Sequence, residues 1–177
     1  QTYNLDPGAL ESAISESTKA IIAVDLYGHP AAYGEIEKIA AKHGLKLIED
    51  AAQSLGAARL GRKCGSFGEL AATSFFPAKP LGCYGDGGAI FTNDDDLAHT
   101  IRGIVNHGMY ERYHHDVVGV NSRLDSLQAG VLKAKLPHLD NYNKARREAA
   151  NKYNNALAEN NTIITPKFDS LTEDHVF

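Results

Sequence analysis

Cysteine is scarce in this chain of 177 residues, which contains only Cys64 and Cys83. Neither cysteine lies in a CxxC pair or another metal-binding spacing, so we expect no metal site. So few cysteines are typical of a reducing compartment, and we expect a cytoplasmic protein. No apolar run approaches the roughly 18–20 residues that a membrane helix requires, so we expect no membrane partner. The first four residues resemble neither a signal peptide nor a transit peptide.

An excess of charge of one sign is also absent. The formal net charge is −4, with acidic and basic residues interspersed, which argues against nucleic acid as a partner. Residues 144–149 hold two arginines and a lysine, but acidic residues flank them, and we predict a solvated helix face. The chain lacks an initiating methionine, and its last residues, His175–Phe177, resemble the beginning of a strand. We therefore expect both ends to be cut from a longer protein.

Strand and helix patterns alternate in the first half of the chain, which predicts an α/β layer structure. Short apolar runs bounded by turn residues predict buried strands, and apolar residues at helical spacing predict a helix that Gly44 ends. Asn93 or Asp94 can cap a further helix, because either side chain accepts hydrogen bonds from free amides. The predicted strands are 20–24, 45–50, 71–76 and 88–92, and the predicted helices are 33–43 and 95–106.

The second half is less regular. Residues 109–120 show no clear period and are predicted to form a loop, which at that length is often functional. Two longer helices are predicted after Ser122, with Pro137 near their boundary, because proline interrupts a helix. No internal repeat or low-complexity tract is present.

The most informative segment is Ser74–Gly82, SFFPAKPLG, which continues to the glycines of GDGG. Its lysine, Lys79, follows a predicted strand and lies between two prolines, which restrict the backbone and exclude a helix. A lysine that forms a Schiff base requires such fixed positioning. A loop lysine on its own is usually exposed and inert, so the neighbouring residues decide between the two interpretations.

Asp50 ends a predicted strand 29 residues before Lys79. The carboxyl ends of strands in an α/β sheet face the ligand crevice. A carboxylate there can hold a protonated pyridine nitrogen, which makes the ring an electron sink. Asp50 can also be a helix cap or loop acid, or the ribose-binding acid of a dinucleotide fold. The dinucleotide alternative is disfavoured because no G-x-G-x-x-G turn precedes Asp50.

Three ordered segments carry a family resemblance. Residues 49–56 (EDAAQSLG), 73–82 (TSFFPAKPLG) and 85–92 (GDGGAIFT), continued by residues 106–108 and 119–125, resemble the DegT/DnrJ/EryC1/StrS sugar aminotransferases. The resemblance covers almost the whole chain. It implies the core of the large domain of the fold-type I, aspartate-aminotransferase-like transferases that depend on pyridoxal 5′-phosphate (PLP), a three-layer α/β sandwich.

The resemblance assigns roles to five residues. Lys79 would hold the cofactor covalently and move the proton between carbons. Asp50 would pair with the pyridine nitrogen, and Gln53 would lie against the ring and its 3-hydroxyl. Ser74 would donate a hydrogen bond to the cofactor phosphate. Asn121 would reach the phosphate of a neighbouring subunit's cofactor, so the active sites would be shared within a homodimer.

Three further residues are weaker substrate candidates. Arg123 suits a substrate or dimer contact, although an internal salt bridge is equally compatible. His114 belongs to the sequence His114-His115-Asp116, whose potential ligands are too bunched for a closed metal site. Within the family that loop lies near the neighbouring subunit's site. His29 is predicted to be a turn residue near the pocket.

The segment from Lys79 to Gly88 is similar to enzymes that aminate the 3-keto group of a UDP-linked 2-acetamido hexuronic acid. This resemblance implies a nucleotide-sugar substrate, glutamate as amino donor, and a role in surface polysaccharide such as O-antigen. Sugar dehydratases on the same scaffold carry histidine in place of the lysine, so Lys79 argues against them. The remaining alternative is a non-catalytic binding or regulatory module, which the intact set of site residues disfavours.

The resemblance also implies how the chain is divided. We expect residues 1–138 to form part of the PLP-binding large domain. We expect residues 139–177 to form a helical connection and the start of a small C-terminal domain. Family members are about twice this length, so we expect this chain alone to bind cofactor weakly and to lack turnover.

Overall fold

Four strands form the main sheet of the computed structural model, which describes residues 2–176. The sheet order is β1-β2-β5-β6, with β1, β2 and β5 parallel and β6 antiparallel at the edge. The strands are β1 (Ala20–Val24), β2 (Lys46–Asp50), β3 (Ala58–Arg59), β4 (Arg62–Lys63), β5 (Leu70–Ser74), β6 (Gly88–Phe91), β7 (Met109–Glu111), β8 (His114–His115) and β9 (Thr172–Asp174). The helices are α1 (Pro7–Ala13), α2 (Tyr33–His43), α3 (Asp95–Val105), α4 (Ser126–Lys135) and α5 (Leu139–Leu157). The predicted α/β class is confirmed.

Helix α2 covers one face of the sheet and explains where the main core lies. Its residues Tyr33, Ile36 and Ala40 are buried because they share one face of the helix. They pack with inward-facing strand residues such as Ile21 and Leu47. Full burial of an aliphatic side chain like Ile36 contributes about 1.5–3 kcal/mol. Gly44 ends α2 in the left-handed region at φ 63°, as the sequence predicts.

The other face of the sheet is partly open among the described residues. Strand β1 was predicted to be buried, but its burial alternates, and Ile22 is 62% exposed. The reason is that successive side chains of a strand point to opposite faces and α2 covers only one of them. The sequence therefore predicted the strand correctly and its complete burial wrongly. Asp50 and Ser74 lie on this open face.

A second, smaller core lies beyond the end of β5. It contains Phe75, Leu81 and Cys83, packed against Leu132 of α4 and Leu139 of α5. This core fixes the segment that carries Lys79 against the two C-terminal helices. A short 3-10 turn, Leu136–His138, separates α4 from α5, so the predicted boundary near Pro137 is confirmed.

Two segments depart from the sequence predictions. Residues 109–120 were predicted to be a loop, but β7 and β8 pair there as a short antiparallel hairpin. The third strand was predicted to continue to Phe76, but β5 ends at Ser74. Beyond it, Phe75 accepts hydrogen bonds at its carbonyl from both the amide and the thiol of Cys83, which begins a turn structure.

The strand predicted to begin at His175 was also placed wrongly. The strand is β9, which ends at Asp174 and pairs with β3, and Phe177 lies outside the described residues. After β9, the amide of Val176 donates to the carbonyl of Gly28 at 3.0 Å. Among residues 2–176, no helix combines the length and apolar character needed to cross a bilayer.

The N-terminus of α3 offers a test of the local fold. Asp94 Oδ1 accepts from the amides of Asp96 at 2.9 Å and Leu97 at 3.0 Å, which confirms one of the two predicted caps. We expect Asp94→Ala to lower the free energy of unfolding by about 1 kcal/mol, because two amides lose their acceptor. Chemical denaturation measures the change. Asn93→Ala is the matched control, and an equal loss in both variants would contradict the assignment of the cap.

Candidate active site

Lys79 lies in the turn segment that follows β5. Its amide donates to the carbonyl of Phe76 at 2.9 Å, which closes a tight turn containing Pro77. The lysine is half-buried, and among the described residues no carboxylate forms an ion pair with its amine. The backbone is therefore fixed while the amine is free to react.

The side of this turn borders a cavity of about 600 Å³. The cavity brings Lys79 together with Gln53, two residues that the sequence assigned to one site. Its other lining residues come from five separate segments and are Tyr27, Phe76, Ala78, Pro80, Arg146, Pro166 and Val176. Its volume is within the range of small-molecule sites in proteins.

Asp50 is placed by strand alternation. Glu49 and Asp50 are consecutive in β2, so Glu49 points into the core while Asp50 points to the open face. Asp50 Oδ1 accepts from the amide of Ala52 at 3.0 Å. In the part of the chain that is described, no hydrogen bond to Asp50 Oδ2 is formed. This oxygen can therefore accept a hydrogen bond from a ligand.

The neighbouring parallel strand places Ser74 on the same face. Asp50 is the register partner of Ala72, and Ser74 lies two residues further along β5. The Ser74 oxygen accepts from the amide of Phe76 at 3.2 Å, which leaves its own proton available for donation. The ends of β2 and β5 thus supply a carboxylate acceptor and a hydroxyl donor at one edge of the sheet.

Gln53 is oriented by a backbone contact from a distant segment. The amide of Tyr27 donates to Gln53 Oε1 at 2.9 Å. Tyr27 adopts a positive φ of 57°, an uncommon conformation for a non-glycine residue, and Gly28 follows at φ 86°. A Cβ on Gly28 would lie 2.3 Å from Cβ of Val176, so the turn tolerates only glycine there. With its oxygen engaged, Gln53 presents its NH₂ group as the free donor.

Asn121 and Arg123 line a different cavity of about 650 Å³ between the β5–β6 end of the sheet and α3. Ala72, the register partner of Asp50, forms part of its wall, and so does Asp86. The structure thus places these two residues next to the open face but not in the cavity of Lys79. Both side chains are exposed.

The two histidine candidates occupy very different environments. His29 is 2% exposed, and its ring nitrogens contact Asn4 Nδ2 and Thr172 Oγ1, both at 3.2 Å. Burial lowers the pKa of His29 below its usual value, so the ring is neutral at pH 7. His114 is exposed in β8, at the end of the hairpin.

A pair of buried carboxyl groups lies directly behind Asp50. Asp25 and Glu49 are fully buried, and their oxygens lie within 4.8 Å of one another and of the Cys64 sulfur. Asp25 accepts from Tyr33 Oη and Ser54 Oγ at 2.8 and 2.7 Å. Each oxygen of Glu49 accepts from a backbone amide, of Gly65 or Phe67. Because protein donors already occupy these oxygens, we interpret the cluster as a hydrogen-bonded carboxyl pair and not as a metal site.

Burial is the main cause of the raised pKa of Glu49. Burial, opposed by the hydrogen bonds from the Gly65 and Phe67 amides and reinforced by the neighbouring Asp25, raises the pKa of Glu49 to about 8. Burial likewise raises the pKa of the Cys64 thiol far above its usual value. Glu49 is therefore protonated at neutral pH. A neutral Glu49 can share its proton with Asp25, so the two groups do not repel each other.

Two of the cavity residues that the sequence did not assign to the site, Arg146 and Tyr27, contribute polar groups. Arg146 is exposed, as the predicted solvated helix face requires, and it also lines the cavity. The helical spacing of α5 could have indicated it, because Arg146 lies three residues after the buried Asn143. Tyr27 contributes through its backbone amide, for which side-chain chemistry gives no signal.

This arrangement defines a class of site that can hold an aldehyde cofactor covalently. A half-buried lysine follows the carboxyl edge of a parallel sheet, a side-chain amide shares its cavity, and a carboxylate lies on a strand end of that sheet. Lys79 offers an amine, Asp50 a carboxylate acceptor and Ser74 a hydroxyl donor, which match the chemistry of the aldehyde, the ring nitrogen and the phosphate of PLP, although Asp50 and Ser74 do not line the Lys79 cavity. The donor set therefore agrees with the cofactor that the sequence predicts.

Comparison with known proteins gives the family. The model of the DegT/DnrJ/EryC1/StrS aminotransferase family matches residues 1–177. The chain belongs to this family, and the resemblance stated from sequence is confirmed.

Individual relatives support the same assignment. The chain is 55% identical over 159 residues to a UDP-2-acetamido-2-deoxy-3-oxo-D-glucuronate aminotransferase of Pseudomonas aeruginosa, with 90% of this chain and 44% of the relative covered. A family aminotransferase from Brucella abortus superimposes with a TM-score of 0.91 at 45% identity, over 98% of this chain and 48% of that one. NtdA of Bacillus subtilis, solved with bound cofactor PMP, superimposes with a TM-score of 0.87 at 34% identity, over 99% and 40%. The chain spans about half the length of the relatives it matches.

The carboxyl pair predicts a specific pH dependence of stability. Glu49 keeps its proton to about pH 8 in the folded state but loses it near 4.5 when unfolded. The contribution of Glu49 to the free energy of unfolding is therefore complete below pH 4.5 and is lost as the pH rises to 8. The free energy of unfolding should fall with pH between these values by at most about 1.4 kcal/mol per pH unit. We expect Glu49→Gln to remove this pH dependence.

Denaturant unfolding at several pH values measures this slope. Glu35→Gln, which makes the same change at an exposed position of α2, is the matched control and should retain the slope of the unmodified protein. Equal slopes for the unmodified protein and Glu49→Gln would contradict a protonated Glu49.

Proposed function

We propose that this chain forms the cofactor-holding part of a PLP-dependent aminotransferase that converts the ketone of a nucleotide-linked sugar to an amine. The observation that carries the proposal is the cavity shared by Lys79 and Gln53, together with the β2–β5 register that brings Asp50 and Ser74 to one edge of the sheet. PLP, when bound, supplies an electron sink that stabilises negative charge on the carbon next to the transferred nitrogen.

The chain's own residues account for binding and proton movement. Asp50 Oδ2 would accept a hydrogen bond from the protonated ring nitrogen, and Ser74 would donate to the phosphate. The NH₂ group of Gln53, whose oxygen is held by the Tyr27 amide, would donate to the oxygen on the ring. The Lys79 amine would hold the cofactor and, once the amino group of the substrate has displaced it, would move a proton at its free Nζ.

The substrate class follows from the relatives and from the charge of the cavity wall. Relatives named for UDP-linked substrates include the Pseudomonas protein and a UDP-N-acetyl-3-dehydro-α-D-glucosamine 3-aminotransferase of Acidithiobacillus ferrooxidans, 51% identical over 85% of this chain and 41% of that one. Arg146 places a cation at the Lys79 cavity, which suits an anionic substrate. We propose a UDP-linked keto-sugar as acceptor and glutamate as donor, with the product used in surface polysaccharide such as O-antigen.

The remaining assignments belong to the assembled protein. We propose a cytoplasmic homodimer in which Asn121 reaches the partner's cofactor phosphate, with Arg123 and His114 as substrate-side candidates; the predicted candidate His29 is buried, and both of its ring nitrogens already have partners. The exposure of Asn121, Arg123 and His114 supports contact with groups outside this chain. We also retain residues 1–138 as part of the large domain and 139–177 as the connection to a small domain.

Covalent labelling tests the role of Lys79. We expect the full-length protein with PLP to show a visible absorption band, and borohydride reduction to attach the cofactor to the peptide that contains Lys79. Lys79→Ala should lose the label and reduce turnover by about 10³-fold or more, because the group that moves the proton is removed.

Lys63 provides the matched control, because its amine is exposed and donates to the carbonyl of Gly56. Lys63→Ala should retain label and turnover. A label on another lysine would contradict the assignment of Lys79, and no label on any peptide would favour a non-catalytic binding module.

The amino donor has a separate test. Addition of glutamate to the PLP-loaded protein should remove the visible band within one half-reaction, and 2-oxoglutarate should form in equal amount. Glutamine and aspartate, which differ in charge or length, serve as comparisons. A band that persists with glutamate but disappears with another amino acid would overturn glutamate as donor.

A further inference from the structure

Helix α4 contacts the backbone of the Lys79 segment at two points. Gln128 Oε1 accepts from the amide of Tyr84 at 2.8 Å, and Lys135 Nζ donates to the carbonyl of Gly82 at 2.5 Å. Gln128 and Lys135 are seven residues apart, which is two helical turns, so they share one face of α4. These contacts join positions separated by 44 and 53 residues in sequence.

The residue between the two contacts is fixed from the opposite side. Cys83 is fully buried, and its amide and thiol both donate to the carbonyl of Phe75, at 2.8 and 3.0 Å. Leu132 packs on this core between Gln128 and Lys135 along α4. Residues 82–84 are therefore held between the end of β5 and one face of α4.

The segment has little freedom to absorb a shift. A Cβ on Gly82 would lie 2.4 Å from the carbonyl oxygen of Pro77, so Gly82 packs directly on the turn that carries Lys79. Movement of Gly82 must therefore move that turn. Because the position of the lysine amine relative to the cofactor determines its reactivity, a displacement near 1 Å has a large effect on rate.

We propose that Gln128 and Lys135 are positioning residues that hold the Lys79 turn from behind, through Gly82 and Tyr84. The proposal rests on the proposed function of Lys79. Neither side chain lines the Lys79 cavity, so both act through the backbone. The contact also gives Lys135 a fixed role, because its amine is engaged by a carbonyl and lies 5.8 Å from the centre of the Tyr84 ring.

The test uses the full-length protein loaded with PLP. Gln128→Leu removes the acceptor, Gln128→Glu keeps it, and Lys135→Met removes the donor. Lys133→Met is the matched control, because Lys133 is exposed on the same helix and has no ion pair among the described residues. The readouts are the rate at which hydroxylamine releases PLP from Lys79 and the pH midpoint of the visible band, with thermal melting recorded in parallel.

We expect Gln128→Leu and Lys135→Met to change the release rate by about tenfold and to shift the pH midpoint by at least about 0.5 unit. Gln128→Glu and Lys133→Met should remain within about twofold of the unmodified protein. Recovery in Gln128→Glu separates positioning from a general loss of stability. If Gln128→Leu does not fold, Gln128→Asn, whose amide is one methylene too short, provides the same comparison.

Two outcomes overturn the proposal and are distinguishable. If the unmodified protein shows the band and the Lys79 label but all variants match it in both readouts, α4 does not position the lysine and the proposed function stands. If the unmodified protein shows neither band nor label, the proposed function fails, and the positioning role fails with it.

Discussion

The parallel pairing of β2 with β5 is the constraint on which the rest of the site depends. It places Asp50 opposite Ala72 and carries Ser74 to the same edge of the sheet. Since side chains alternate along a strand, the same register sends Glu49 inward and Asp50 outward. A shift of one residue would bury Asp50 and expose Glu49. The position of the candidate cofactor site is therefore a direct consequence of the strand register.

The buried carboxyl pair stabilises the loops that form the site. Asp25 connects the end of β1 to Ser54, the neighbour of Gln53, while Glu49 holds the amides of Gly65 and Phe67. A protonated Glu49 allows both groups to remain in the core without repulsion. Glu49 and Ser54, the sequence neighbours of Asp50 and Gln53, thus stabilise the fold, while Asp50 and Gln53 keep polar groups available for a ligand.

Local chemistry in the sequence singled out candidates for the site. Lys79 stood out from its prolines and preceding strand and Asp50 from its strand end, while their roles came from the family resemblance; the cap Asp94, predicted from its place before a helix, is confirmed. Long-range backbone contacts were not predictable. The orientation of Gln53 depends on an amide 26 residues earlier. Likewise, the hairpin at residues 109–115 forms by strand pairing, and its sequence has no apolar period that would have indicated a strand. The exposure of one face of β1 depends on which distant elements cover the sheet.

A crystal structure of the full-length protein with PLP tests the central claim most directly. We expect one ring held at opposite ends, with an oxygen of Asp50 about 2.7–3.2 Å from the ring nitrogen and continuous density from Nζ of Lys79 to the aldehyde carbon. A cofactor whose nitrogen faces another group, or side chains of Asp50 and Lys79 that point into separate cavities, would contradict it.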